Sequence, residues 1–166
     1  MRIGVLTIST SLARGERAAD DSGDAIVAIT TAAPLRGEII QRAVIADDQE
    51  VIAATLREWA DAGTVDLLLT TGGTGLAPTD VTPEATLAVL DRVAAGLAEA
   101  MRAQTAVKTP LAWLSRGVAG TRKRTLIVNL PGSPKAVREC LEVLSPILPH
   151  AIDILTQQVR QHDQQS

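Results

Sequence analysis

Neither tyrosine nor phenylalanine occurs in this 166-residue chain, and two tryptophans are its whole aromatic content. Its core must therefore be assembled from Ala, Val, Leu and Ile, and the stacking platforms that seat single-stranded nucleic acid are nearly absent. A basic field is missing too. The net charge of −3 disfavours broad binding to a nucleic-acid backbone or an anionic membrane. Cysteine occurs once, at Cys140, so no disulfide can form within the chain and no multi-thiolate metal site is available. Lying in a helix expected over Pro134–Leu144, Cys140 reads as a small buried apolar residue. His150 and His162 lack ligand-like spacing and give no support to a zinc or haem role. No window approaches the roughly 20 apolar residues of a membrane span. The apolar run within Met1–Ser9 is too short for a secretory segment and has no small-residue cleavage site. These absences point to a cytoplasmic protein that handles small molecules, with no nucleic-acid or membrane partner.

What is present fits a globular chain: 46% of residues are hydrophobic and 21% charged, far from the balance of disordered chains. The length suits one domain able to bury its own core. We read residues 1–159 as that domain and 160–166 as a polar, frayed tail. Ile3–Thr7 reads as a strand, followed by a long polar loop over Ser9–Gly23, a helix over Asp24–Ala33 and a β-branched strand over Glu38–Ile45. Asp48 is placed to cap a helix whose Val51, Ile52, Thr55, Leu56 and Trp59 share one face, with Gly63 as its C′ residue. Val65–Thr70 and Thr125–Leu130 are nearly all-apolar runs of strand length, the pattern of strands covered on both faces. Thr82–Pro83 and Ser133–Pro134 both read as a cap followed by proline at the first helical position. The first of these opens a helix carrying Leu87, Val89, Leu90 and Val93; others are expected around Leu97–Val107 and Pro146–Val159. Strands alternating with helices predict an α/β fold, a mostly parallel sheet with helices on both faces. Ligands of such sheets gather at the strand carboxyl ends.

Thr70-Thr71-Gly72-Gly73-Thr74-Gly75 leaves one of these strands. Glycines there let the backbone adopt positive φ and turn its N–H groups inward as an anion nest, with threonine hydroxyls as further donors. A plain tight turn is the alternative. No Gly-Lys-Ser/Thr follows and the Gly-x-Gly-x-x-Gly pattern is absent, which disfavours a P-loop NTPase or a dinucleotide-binding dehydrogenase. Asn129-Leu130-Pro131-Gly132-Ser133-Pro134 also runs from a strand into a helix, so a second set of free amides belongs to the same edge. Two such sites suit a ligand with more than one phosphate; simple shaping of a βα turn is the alternative. Asp47 and Asp80 fall near strand carboxyl ends, where carboxylates beside phosphate most economically hold Mg²⁺. Capping is the other reading of Asp47, although Asp48 can already do that.

The string Thr70–Gly75, continued by Asp80-Val81-Thr82-Pro83-Glu84-Ala85-Thr86, Leu114-Ser115-Arg116 and Asn129–Pro134, resembles the MogA/MoaB family of molybdenum-cofactor biosynthesis over almost the whole chain. The resemblance implies a three-layer α/β/α molybdopterin-binding fold, usually trimeric. It also implies transfer of AMP from Mg-ATP to the terminal phosphate of molybdopterin, with the product handed to a molybdenum insertase. By motif position Asp80 matches the catalytic aspartate and Asp47 a second functional acid. Thr74 with Thr71, Gly72, Gly73 and Gly75 matches the phosphate cradle. Ser115, Asn129, Pro131, Gly132 and Ser133 match ligand-binding positions. Ser9 and Asp20 match two more near the N-terminus, where Ser9-Thr10 stands for the usual Ser-Asp and Asp20-Asp21-Ser22-Gly23 for Asp-x-Ser-Gly. Thr79 stands where Arg is frequent. Two alternatives accompany the transferase: a MoaB-like protein that binds pterin or nucleotide without efficient turnover, and a pyrophosphatase of the competence-damage group.

Overall fold

The computed structural model describes the backbone of residues 1–163 and side chains through 156. Its elements run β1 (Arg2–Ile8), α1 (Thr10–Ala13), α2 (Asp21–Thr31), β2 (Glu38–Ile45), α3 (Gln49–Asp61), β3 (Leu67–Thr71), α4 (Thr82–Leu87) and β4 (Arg92–Val93). There follow α5 (Ala95–Ala106), a 3₁₀ turn (Pro110–Leu114), β5 (Ala119–Arg122), β6 (Thr125–Leu130), α6 (Pro134–Leu144) and α7 (Leu148–Asp163). The strands form one sheet in the order β2-β1-β3-β6-β5-β4. The first four are parallel, and β5 and β4 extend the sheet antiparallel.

Period-two alternation divides each central strand between two cores. Ile3 and Val5 of β1, Leu67 and Leu69 of β3, and Leu126, Val128 and Leu130 of β6 pack beneath α2, α5, α6 and α7. Leu6 and Ile8, Leu68, and Ile127 point the other way, under α3 and the α4 segment. Both faces are covered, hence the unbroken apolar runs and the three α/β/α layers. Among the described residues no helix is long and apolar enough to cross a membrane.

β2, β6 and α6 fall where expected, and Asp48 caps α3 through Val51 N at 3.0 Å. Other boundaries differ for identifiable reasons. α2 starts at Asp21 rather than Asp24 because Asp20 caps it, its Oδ1 accepting from Gly23 N; the loop before it holds the short α1. Thr82 does not cap α4: Val81 occupies that position, and the Thr82 hydroxyl is committed to Gly72 O. α4 stops at Leu87, and Val93 lies exposed in β4. On α3 the buried face is Ile52, Ala53, Leu56, Trp59 and Ala60, leaving Val51 in solvent. The last helix begins at Leu148, not Pro146, and continues past Val159 into the polar tail as far as Asp163; residues 164–166 of that tail lie outside the described residues. Cys140 is buried, and burial, then the neighbouring Glu139, pushes its thiol up to about 11.

The end of α3 is tied to β5 by a bidentate pair, Arg122 Nε to Asp61 Oδ1 at 2.9 Å and Nη2 to Oδ2 at 2.7 Å. These bonds hold the Asp61 carboxyl at about 2, below its ordinary 3.8. Its stabilisation is complete above pH 3.8 and is lost as pH falls through about 2. Denaturant midpoints should therefore drop across that window in the wild type and drop less steeply in Arg122→Met. Parallel pH profiles for the two proteins would remove this pair from the acid response.

Candidate functional site

β3 and β6 run in register, Thr70 opposite Asn129 and Thr71 opposite Leu130, so their carboxyl ends stop level. The chain leaving β3 turns through Gly72 at φ +97 and Gly73 at φ +63, a left-handed pair that residues with a β-carbon seldom adopt. Space forbids side chains as well: a Cβ on Gly72 would run into the Ile8 carbonyl oxygen, and one on Gly73 into Thr82 Oγ1. The exit from β6 presses on the same turn, since a Cβ on Gly132 would lie 3.3 Å from Gly72 Cα.

Buried hydroxyls fix the two exits. Thr71 Oγ1 donates to Pro131 O at 2.7 Å, Thr82 Oγ1 to Gly72 O at 2.9 Å and Thr86 Oγ1 to Thr82 O at 2.8 Å. Beneath them Asn129 Nδ2 donates to Thr70 Oγ1 at 3.0 Å and Thr86 Oγ1 at 2.9 Å, while Oδ1 accepts from Val118 N at 3.2 Å. Both amide hydrogens of Asn129 are thus committed to the protein. On the β6 side, Ser133 Oγ caps α6 through Ala136 N at 3.1 Å and Pro134 occupies its first turn.

Over this floor lies a cavity of about 590 Å³, within the range of small-molecule sites. One end is polar, walled by the Gly73–Gly75 turn, Asp80, Ser115, Ser133 and Lys135. The rest is mostly apolar, with Ala98 and Met101 of α5, Leu111 and Leu114 of the 3₁₀ turn, and Cys140 of α6, although Arg102, Thr105, Thr109 and Glu139 also line it.

Of the residues singled out in the sequence, Gly73, Thr74, Gly75, Asp80, Ser115, Asn129, Pro131, Gly132 and Ser133 line the cavity. Thr71 and Gly72 are buried, and the Thr71 hydroxyl serves Pro131 rather than facing a ligand. Ser9, Asp20 and Asp47 are not part of the lining. Ser9 caps α1. Asp20 accepts from Thr7 Oγ1, Ser22 Oγ, Gly23 N and Arg42 Nη2, which fills both its oxygens. Asp47 Oδ2 accepts from Thr10 N at 2.8 Å and Thr10 Oγ1 at 2.7 Å, and Oδ1 faces the turn, 3.3 Å from where a Gly73 Cβ would stand. Asp80 Oδ2 abuts Gly75 from the other side, 2.7 Å from its notional Cβ. No group of three or more His, Cys, Asp or Glu able to hold a metal occurs among the described residues. Asp47 beside Gly73 and Asp80 beside Gly75 are thus the carboxylates that approach the glycine turn.

Sequence reasoning missed three cations here: Lys135, Arg116, and Arg102, which lines the cavity and donates to Ser115 O and Gly117 O. Lys135 reaches the cavity from the first turn of α6, a position that its place just after the Ser133-Pro134 start could have signalled. Arg116 binds the back of the glycine turn, and Glu84, its ion-pair partner, is held below the usual carboxylate range by that bond. Arg116 and Glu84 both stand in the strings that carry the resemblance, but nothing local to either string shows that they pair or that Arg116 reaches main-chain carbonyls.

A mostly parallel sheet covered by helices on both faces, with a glycine turn and a ligand-sized cavity at its carboxyl edge, defines an α/β protein built to hold a small molecule. The chain belongs to the family described as "Probable molybdopterin binding domain", whose model matches residues 4–150. It is 39% identical over 155 residues to a molybdopterin adenylyltransferase of Helicobacter pylori (strain J99), covering 93% of this chain and 88% of that one. It is 43% identical over 143 residues to that of Escherichia coli (strain K12), covering 86% and 72%. A crystal structure of the molybdopterin biosynthesis enzyme MoaB from Thermus thermophilus superposes with a TM-score of 0.87 at 51% identity, covering 94% of this chain and 96% of that one.

Removing the amide under the cradle should cost folding stability. Asn129→Leu strips the shared donor from Thr70 and Thr86 and the acceptor from Val118 N, and we expect a loss of roughly 1–3 kcal/mol or more in chemical denaturation. An unchanged midpoint with an intact far-UV spectrum would show that the network is dispensable.

Proposed function

We propose that this chain is a molybdopterin adenylyltransferase, moving AMP from Mg-ATP to the terminal phosphate of molybdopterin with release of pyrophosphate. The observation that carries the reading is the meeting of the Gly73–Gly75 turn, Asp80 and the α6 start at the polar end of one cavity, in a chain about 40% identical to enzymes of that name.

The turn amides and the Thr74 hydroxyl hold one phosphate group, and the first-turn amides of α6 with Lys135 hold another. The apolar end receives a ring, and Ser115 borders it. Asn129 contributes from below by fixing Thr70 and Thr86. Asp80 and Asp47 are the residues to hold Mg²⁺, which when bound neutralises phosphate charge. In the transfer, a terminal phosphate oxygen of molybdopterin forms a bond to the α-phosphorus of ATP. The bond from that phosphorus to the bridging oxygen breaks, and the electron pair leaves with pyrophosphate. Such chemistry asks for alignment and preorganised donors rather than a covalent partner from the protein.

Residues 1–159 act as one molybdopterin-binding domain in this reading, in the cytoplasm, as a homotrimer that passes its product to a molybdenum insertase. Exposed Val107 and Trp113, both between α5 and β5, support contact between copies. A second reading, binding without efficient turnover, is favoured by the Thr10 bonds that occupy one oxygen of Asp47. Incubation with Mg-ATP, with and without molybdopterin, separates the possibilities. Pterin-dependent pyrophosphate and adenylylated pterin mark the transferase, binding without product marks the second reading, and pterin-independent hydrolysis marks a pyrophosphatase.

Asp80→Asn should keep the wild-type melting temperature and lower the rate of pyrophosphate release on the order of 10²-fold or more, as loss of one preorganised electrostatic contact does. Wild-type turnover in that variant would take Asp80 out of the chemistry.

A further inference from the structure

We propose that Arg116 is the positioning residue of this site: it fixes Asp80 against the glycine cradle from behind, without touching the substrate. The proposal rests on the adenylyl-transfer reading for its kinetic consequences, though not for the hold itself. Arg116 Nε donates to Gly75 O at 2.7 Å and Nη2 to Asp80 O at 2.6 Å. Nη1 pairs with Glu84 Oε1, and Nη2 also reaches Oε2 at 3.4 Å. The main-chain N–H of the same residue donates to Thr74 O at 2.8 Å. One residue therefore grips the cradle at Thr74 and Gly75 and, across an exposed loop, the backbone of the acid.

That loop has little else to hold it. Leu76, Ala77, Pro78 and Thr79 are exposed, and the cross-links within it are Asp80 N to Ala77 O at 2.9 Å and Ala77 N to Asp80 Oδ2 at 3.3 Å. The second of these uses the carboxylate itself. Glu84 anchors the guanidinium to α4, and α4 is anchored to the cradle through Thr82 Oγ1 and Gly72 O. The result is a closed ring of bonds: cradle, Arg116, Glu84, α4, cradle.

With Nε and both terminal nitrogens committed to protein acceptors, Arg116 acts through Asp80 and not on phosphate. A planar fork of donors is what three acceptors in different directions require. A lysine ammonium is a compact point donor and cannot span them.

The test uses Arg116→Lys, Arg116→Met and Glu84→Gln in the full chain. Because misplacement of a reacting group by about 1 Å can cost on the order of 10²-fold, Arg116→Met should lower kcat on the order of 10- to 10²-fold while KM for ATP moves only a few-fold. Arg116→Lys should rescue little of the loss, added guanidinium ion should restore part of it in Arg116→Met, and Glu84→Gln should fall between. In the Asp80→Asn background Arg116→Met should cost clearly less than it does in the wild type, since only its hold on the cradle at Gly75 is left to lose. Hydrogen exchange without substrates reads the hold directly: loop amides at 76, 77 and 80 should exchange at least several-fold faster in all three variants. Losses that multiply in the double variant, or wild-type exchange in that loop, would overturn the role. If the wild type forms no adenylylated pterin, the functional reading fails while the exchange result still decides whether Arg116 holds the loop.

Discussion

The two central strands leave the sheet too close together for any side chain to stand between them. Gly72 lies against the Ile8 carbonyl on one side and against Gly132 on the other, so a β-carbon at either glycine would push the exits apart. The binding chemistry descends from that crowding. Gly72 N is spent on Leu130 O at 3.3 Å, so with positive φ at Gly72 and Gly73 the amides left to an anion nest are those of Gly73, Thr74 and Gly75. Cradle and fold are thus one constraint, because the close approach of β1, β3 and β6 is also what lets their alternating side chains fill two cores.

Beneath the cradle the polar groups are almost all neutral. Thr70, Thr71, Thr82 and Thr86 are fully buried, and each hydroxyl has a partner in Asn129 or a main-chain carbonyl. A buried network is tolerable only when every member is satisfied, and here it needs no buried charge to be so. The charges bordering the cavity are few, Lys135 and Arg102 against Asp80 and Glu139, beside the turn amides and the start of α6. A chain of net charge −3 can therefore receive phosphate: what matters is the arrangement within a few ångströms, not the sum over the surface.

Legibility in the sequence followed the locality of each signal. The strands Glu38–Ile45 and Thr125–Leu130 and the helix begun by Ser133-Pro134 were readable because composition and caps act over a few residues. β4 and β5 were not: Arg92–Val93 is two residues long, and Ala119–Arg122 contains Gly, Thr and Arg, so their strand state comes from pairing alone. Thr82 looked like a cap because its neighbours fit one, but a long-range carbonyl claimed its hydroxyl. The glycine turn and Asp80 were legible as residues of the strand carboxyl edge, and both line the cavity there. Arg116 stood in the quoted Leu-Ser-Arg string, but its role was not legible, since the Gly75 and Asp80 carbonyls and the Glu84 carboxylate meet it only in the folded turn.

The two carboxylates flanking the cradle are held by opposite strategies. Asp80 keeps its place through its backbone, gripped by Arg116, whereas Asp47 is held by its side chain. Thr10 gives Asp47 Oδ2 two donors and receives Asp47 N at 3.0 Å in return, turning Oδ1 toward Gly73. An aspartate at position 10, the residue type usual in the resembled motif, would replace the hydroxyl donor with a second negative group against the first, exchanging attraction for repulsion. Threonine instead gives one oxygen of Asp47 two donors and leaves the carboxylate oriented, with Oδ1 toward Gly73.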